Sequence, residues 1–263
     1  MRAIQSVIQQ TEKCWELLLV DDGSTDGTQE LLEPFFEEPR IKVIRLKDNR
    51  GVSFARNRAI EQSQGSWLSF IDSDDEWLPE KLEKQFDALR AHEEASWVHG
   101  EEIWIRNGVR VNPMKKHQKM GGDIYFSCLK LCCVSPSTVM IKKEVLKEVG
   151  LFREDFPVCE DYDLWLKIAT KYPILFIQDF LIKKYGGHED QLSRRYRAMD
   201  YWRVIAMEDR LKSGRLNQEQ RRQTVEEIHK KASVLLKGYR KHGNLEKFDF
   251  IFQILKDCSA TCE

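Results

Sequence analysis

A short apolar run, Trp67-Leu68-Ser69-Phe70-Ile71, breaks off into Asp72-Ser73-Asp74-Asp75. The run is aromatic and β-branched and follows Gly65, so it reads as a buried strand. Carboxylates at the carboxyl end of such a strand stand where open α/β sheets bind their ligands. Asp72 and Asp74 alternate with Ser73, so in an extended chain their side chains point the same way. Two hard oxygen donors with no Cys or His beside them suit Mg²⁺ or Mn²⁺, held largely through a substrate's phosphates. A plainer reading stands beside that one: Asp and Ser make a turn, and Asp74 or Asp75 caps the next helix.

The chain before this stretch repeats its logic. Ala3, Ile4, Val7 and Ile8 share one face of a helix from Arg2 to Gln10. Glu16 to Val20 reads as a second buried strand and runs into Asp21-Asp22-Gly23-Ser24. Asp26 with Gln29 has the form of a capping box, ahead of a helix whose apolar face is Leu31, Leu32, Phe35 and Phe36. Ile41 to Leu46 alternates as a strand, Asn49-Arg50-Gly51 makes a loop, and Val52 to Gln64 is a helix stopped by Gly65. This alternation predicts a parallel sheet covered by helices. Beyond it the pattern changes. Glu102–Arg106 and Val109–Val111 flank Asn107-Gly108, a hairpin signal. Helices are expected over Asp123–Leu131, Lys143–Val149 and Asp161–Lys171, with a strand at Thr138–Ile141 and others as far as Tyr185. From Arg197 the chain reads as helices alone, one capped by Asn217 with Gln220. The expected organisation is an α/β domain over residues 1–195 and a C-terminal helical extension over 196–263.

Composition narrows the function classes. A net charge of -1 over 263 residues supplies no general field for nucleic acid, so no nucleic-acid partner is expected. No apolar run is long enough to span a bilayer and the start lacks a signal-peptide pattern, which predicts a cytoplasmic chain and leaves peripheral membrane contact open. The seven cysteines are irregularly spaced. Cys128, Cys132 and Cys133 are expected together on a helix as reduced thiols rather than as a zinc site.

Other constellations carry two readings each. Asp22, Ser24, Asp26, Gly27 and Glu33 fall at ligand positions of a calcium loop, although a strand rather than a helix precedes them. Alternatively, Asp21 and Asp22 at a strand's end accept hydrogen bonds from a nucleotide base or ribose. Glu160-Asp161-Tyr162-Asp163 opens a helix, where acids complement the helix dipole and where one could also act as general base towards a sugar hydroxyl. Gly186-Gly187-His188 is either a polar surface loop or a close backbone approach to a ligand, with His188 completing a metal site. Of the polar-basic group Asn49, Arg50, Arg56, Asn57 and Arg58, Arg56 is the favoured ligand-site residue.

Four stretches occur in order: Val20-Asp21-Asp22-Gly23-Ser24-Thr25-Asp26-Gly27-Thr28, the Asn49 to Asn57 segment, Phe70 to Trp77, and Cys159 to Lys167. Over residues 2 to about 195 the chain thereby resembles the family 2 glycosyltransferases. That resemblance implies the GT-A fold, a Rossmann-like mixed sheet with helices on both faces. It further implies a nucleotide-diphosphate-sugar donor, a Mn²⁺ or Mg²⁺ cofactor, and inverting transfer to an acceptor hydroxyl in surface polysaccharide or glycoconjugate synthesis. By position, Asp21 and Asp22 would contact the base, Asp72 the ribose and Asp74 the metal, with Asp161 as the catalytic base and Asp75 only a helix cap. Family members begin with an apolar strand before the helix that here starts at Arg2. The sheet is therefore expected to lack a strand beside Leu17–Val20 and donor binding to be weak. The alternative is a non-catalytic nucleotide-sugar-binding or partner-binding remnant of such an enzyme.

Overall fold

The computed structural model describes residues 1–187, 196 and 198–260. Its helices are α1 (Arg2–Ile8), α2 (Thr28–Leu32), α3 (Val52–Gln62), α4 (Lys81–Ala91), α5 (Tyr125–Lys130), α6 (Lys143–Val149), α7 (Glu160–Ala169), α8 (Asp200–Lys212), α9 (Gln218–His242) and α10 (Leu245–Ala260). Its strands are β1 (Leu17–Asp21), β2 (Ile41–Arg45), β3 (Trp67–Ser69), β4 (Glu76–Trp77), β5 (Trp97–Arg106), β6 (Val109–Val111), β7 (Met140–Lys142) and β8 (Leu175–Gly186).

The strands form two sheets. β1 and β2 pair in parallel, Leu17 opposite Ile41 and Asp21 opposite Arg45. The larger sheet runs β3-β7-β5-β8-β4, with β6 attached to β5. It is mixed, because β5 and β8 are parallel while β3, β4 and β6 join by antiparallel pairs. The parallel arrangement expected for the first three strands therefore stops at β2. Between β1 and β3 no described strand runs. An apolar cleft of about 610 Å³ lies there instead, lined by Leu17 and Leu18 from one side and by Trp67, Leu68 and Phe70 from the other.

Alternation along the large sheet separates two cores, since successive strand residues face opposite sides. Leu68, Trp97 and Ile141 point into a core shared with α5, α7, α8 and α9. Val98, Met140 and Ile182 point into a second core with Ile4 and Val7 of α1 and Leu82 and Leu89 of α4. Helices thus cover both faces, as expected. The C-terminal helices contribute Val204, Met207, Ile228, Ala232 and Ile251 to the first core, so they pack into the body of the fold.

Local chemistry explains most boundaries. Asn107 and Gly108 take φ of 50° and 78°, the positive pair a tight hairpin turn needs. Asn217 accepts the Gln220 amide at 2.8 Å while Gln220 accepts the Asn217 amide at 3.1 Å, the reciprocal cap read from the sequence. The Asp26 cap is corrected. Gly27, left-handed at φ 76°, occupies the cap position of α2, and Asp26 instead accepts the Thr28 amide and hydroxyl. That helix is short, and Leu31 and Phe36 stay exposed while Leu32 and Phe35 are buried. The expected Trp67–Ile71 strand ends at Ser69, where its pairing with β7 ends.

Candidate active site

Phe70 to Glu76 crosses from β3 to β4 as a tight turn, with the Asp75 amide donating to the Asp72 carbonyl at 3.0 Å. Ser137, buried in a turn after Pro136, organises the segment from the side. Its hydroxyl donates to Asp75 Oδ2 at 2.6 Å and accepts the Asp72 amide at 3.1 Å. The Tyr185 amide of β8 donates to Asp75 Oδ1 at 3.0 Å. Asp75 is not a helix cap, because α4 begins only at Lys81. It is a buried carboxyl whose pKa burial, with the nearby Asp72 charge, pushes up to about 7. Asp72, Asp74 and Asp75 each offer an oxygen, and the three lie within 4.8 Å of one another. Such an all-oxygen set fits a hard divalent cation. Among the described residues no other group of His, Cys, Asp and Glu is so arranged.

Arg56 joins this cluster to the helix that carries Asp161. One guanidinium nitrogen meets Asp72 Oδ1 at 2.7 Å and the other meets Glu160 Oε1 at 2.8 Å. Burial alone would lower the Arg56 pKa, and the Asp72 and Glu160 carboxylates reverse that and raise it. Burial, with Asp161 next door, raises the Glu160 pKa. Packing of Arg56 over the Phe152 ring at 5.1 Å holds the fork in place.

Asp161 sits at the start of α7, after Cys159 at φ 64°. Its Oδ2 accepts the Cys132 thiol at 3.1 Å, and its Oδ1 lies 2.7 Å from the Tyr162 amide. Burial, with Asp161 close by, raises the Cys132 pKa, which keeps that group a thiol donor. Cys132 and Cys133 are not on a helix, since α5 ends at Lys130. Cys128 and Cys133 instead touch sulfur to sulfur at 3.2 Å, both as free thiols. Asp163 is fully buried and pairs with Lys167 at 2.5 Å, one turn along the helix.

Asp21 and Asp22 organise the turn after β1. Asp21 Oδ1 accepts the Ser24 amide at 2.9 Å. Asp22 takes the Arg50 and Gly51 amides on its two oxygens, each at 2.8 Å, and so pins the loop that starts α3. Arg56 follows on that same helix, which links the first carboxylate pair to the second. The tightness of this joint makes a prediction. A Cβ on Gly23, at φ +74°, would stand 2.8 Å from the Asn49 nitrogen. Gly23→Ala is expected to destabilise by about 1–3 kcal/mol, read as a fall in urea midpoint; an unchanged midpoint would show that the loop yields freely.

Sequence reasoning missed several members. Lys184 reaches Ser135 at 2.9 Å; burial opposes its charge, but Glu102, Asp75 and Asp72 hold its pKa raised. Arg2 donates to the Asp74 carbonyl and stacks its guanidinium 3.4 Å from the Tyr185 ring centre. Only the Pro136 turn hinted at Ser137, and nothing marked Lys184 among many lysines. His188 lies outside the described residues.

Comparison with known proteins places the chain in a family. The sequence profile described as "Glycosyl transferase family 2" matches residues 1–150. The putative teichuronic acid biosynthesis glycosyltransferase TuaG of Bacillus subtilis (strain 168) is 32% identical over 170 residues, 64% of this chain and 66% of that protein. The UDP-Glc:alpha-D-GlcNAc-diphosphoundecaprenol beta-1,3-glucosyltransferase WfgD of Escherichia coli is 34% identical over 193 residues, 73% of either chain. Among solved structures, S. aureus TarS 1-349 in complex with UDP superposes with a TM-score of 0.68 at 20% identity, covering 86% of this chain and 66% of that one. The fold is GT-A, and the chain belongs to glycosyl transferase family 2.

Proposed function

We propose that the chain moves a sugar from a nucleoside-diphosphate-sugar donor to an acceptor hydroxyl, with inversion at the transferred carbon. The observation that carries this reading is the Arg56 fork, which sets the Asp72 carboxylate and the start of α7 on either side of one guanidinium. Asp161 removes the proton of the acceptor hydroxyl as its oxygen attacks the sugar carbon, and the nucleoside diphosphate leaves from the opposite face. Asp74, beside Asp72, would hold a Mn²⁺ or Mg²⁺ ion, which would supply positive charge to the departing diphosphate. Arg56 orients Asp72, which also faces the ribose, while Asp21 and Asp22 shape the wall against the base. WfgD, by its name, acts on a diphosphoundecaprenol-linked sugar. A lipid-linked glycan acceptor in surface-polysaccharide synthesis, met from the cytoplasmic side, extends that likeness to this chain. The free cysteines support a reducing compartment.

The metal assignment has a direct test. Thermal unfolding with UDP and Mn²⁺ is expected to rise by several degrees over UDP alone in the native chain, because a ligand that binds only the folded state stabilises it. In Asp74→Asn that increment should vanish. A full increment in the variant removes Asp74 from the metal site. A second reading, binding without transfer, draws on the divided sheet: β1 and its carboxylates share no strand pairing with the sheet that carries Asp72. Turnover of donor in the presence of metal separates the two.

A further inference from the structure

We propose that the seam between α9 and α10 docks on an anionic phospholipid surface. A groove of about 380 Å³ between these helices is lined by Leu236, Phe248 and Phe252 together with Lys237, Arg240 and Lys241. The lining thus holds three apolar side chains, three cations and no carboxylate. Phe248 and Phe252 stack with ring centres 6.0 Å apart, Arg240 lies over Phe248 at 5.4 Å, and Lys256 lies over Phe252 at 4.7 Å. The exposed acids of α10, Glu246, Asp249 and Asp257, lie outside the groove lining.

The apolar arc of α10 is wider than its packing uses. Ile251, Ile254 and Cys258 are buried, while Phe252 on one flank remains 42% exposed and Leu245 67% exposed. Exposed aromatics framed by cations match a headgroup boundary, where rings reach the acyl layer and ammonium and guanidinium groups meet phosphate. Local charge complementarity selects the anionic surface, since the whole chain carries only -1. Among the described residues no helix is long and apolar enough to cross a membrane, so the contact is peripheral.

Position gives this surface its use. Lys247 and Phe250, near the start of α10, pack on Tyr201 at 4.8 and 5.9 Å. Two residues earlier, the Met199 carbonyl accepts the Cys159 thiol at 3.8 Å, and Cys159 directly precedes Glu160 and Asp161. Tyr201 thus stands between the start of α10 and the segment that opens the base helix. The inference deepens the transferase reading, because a lipid-linked acceptor would be met at such a surface.

Cosedimentation with vesicles, read without donor or acceptor, tests the surface apart from the chemistry. The chain is expected to pellet with phosphatidylglycerol–phosphatidylcholine vesicles and not with pure phosphatidylcholine. The triple variant Lys237→Glu, Arg240→Glu, Lys241→Glu should lower the bound fraction at least about tenfold, and Phe252→Ser should lower it as well. All these positions are exposed, and an unchanged unfolding temperature confirms folded variants. Equal binding to neutral vesicles, or binding indifferent to both variants, overturns the proposal. So does self-association that Phe252→Ser abolishes in the absence of any vesicle binding. Donor turnover on a soluble acceptor, measured in parallel, reports separately on the transferase reading.

Discussion

Asp161→Asn is expected to lower sugar transfer by roughly 10²–10⁴-fold, the span that loss of a general base produces, while UDP and Mn²⁺ still bind. The amide is nearly isosteric, and its oxygen can accept from one of the two donors that Asp161 faces, the Cys132 thiol or the Tyr162 amide. The substitution therefore removes the proton acceptor at the cost of one local hydrogen bond at the start of α7. A subsidiary effect follows from the charge. Burial comes first in raising the Glu160 pKa and the neighbouring Asp161 carboxylate comes second. Removing that charge should let Glu160 ionise more readily and strengthen its pair with Arg56. Transfer rates under saturating donor, with UDP affinity by calorimetry, give the two numbers needed. Transfer that survives at the native rate would assign the base elsewhere; loss of UDP binding together with transfer would mean that the site had collapsed.

Arg56→Met should be the most destabilising single change in the site. Its side chain is 13% exposed and that of Glu160 9%, so the substitution strands a buried carboxylate. Breaking a buried pair by removing one partner costs about 3–5 kcal/mol. The lower end applies here, because Asp72 is a third exposed and water screens its share. Arg56→Lys should recover little, since one ammonium cannot reproduce two forked contacts. Glu160→Gln combined with Arg56→Met should return part of the loss by removing the stranded charge. Urea denaturation of the variants measures each step, and a cost below about 1 kcal/mol for Arg56→Met, a surface-pair value, would contradict the buried fork.

Much of this site was legible because it is written in local spacing. Asp72 and Asp74 flank one serine at a strand's end, and the structure places both in one carboxylate cluster. The Asn107-Gly108 hairpin and the Asn217 cap are likewise four-residue chemistry. What stayed hidden depends on residues far apart in the chain. Ser137 reaches Asp75 across 62 positions, and Arg56 reaches Glu160 across 104. The Asp26 cap failed because glycine at the next position takes the left-handed turn without strain and displaces it. Asp75 looked like a cap for the same local reason, although the long-range partners Ser137 and Tyr185 bury it.

The division of the sheet reaches beyond topology. Backbone ladders make strands open and close together, whereas side-chain packing alone lets neighbouring units open separately. β1 and β2, with Asp21 at the end of β1, are tied to the large sheet through a core in which Leu17 and Ile41 cluster with Val98 and Ile182, rather than through a ladder. On the proposed reading, the wall that would meet the base and the cluster that would meet the phosphates stand beside two separate sheets. A donor that spans both would act as the clasp between them, so that its binding free energy includes the ordering of one unit against the other.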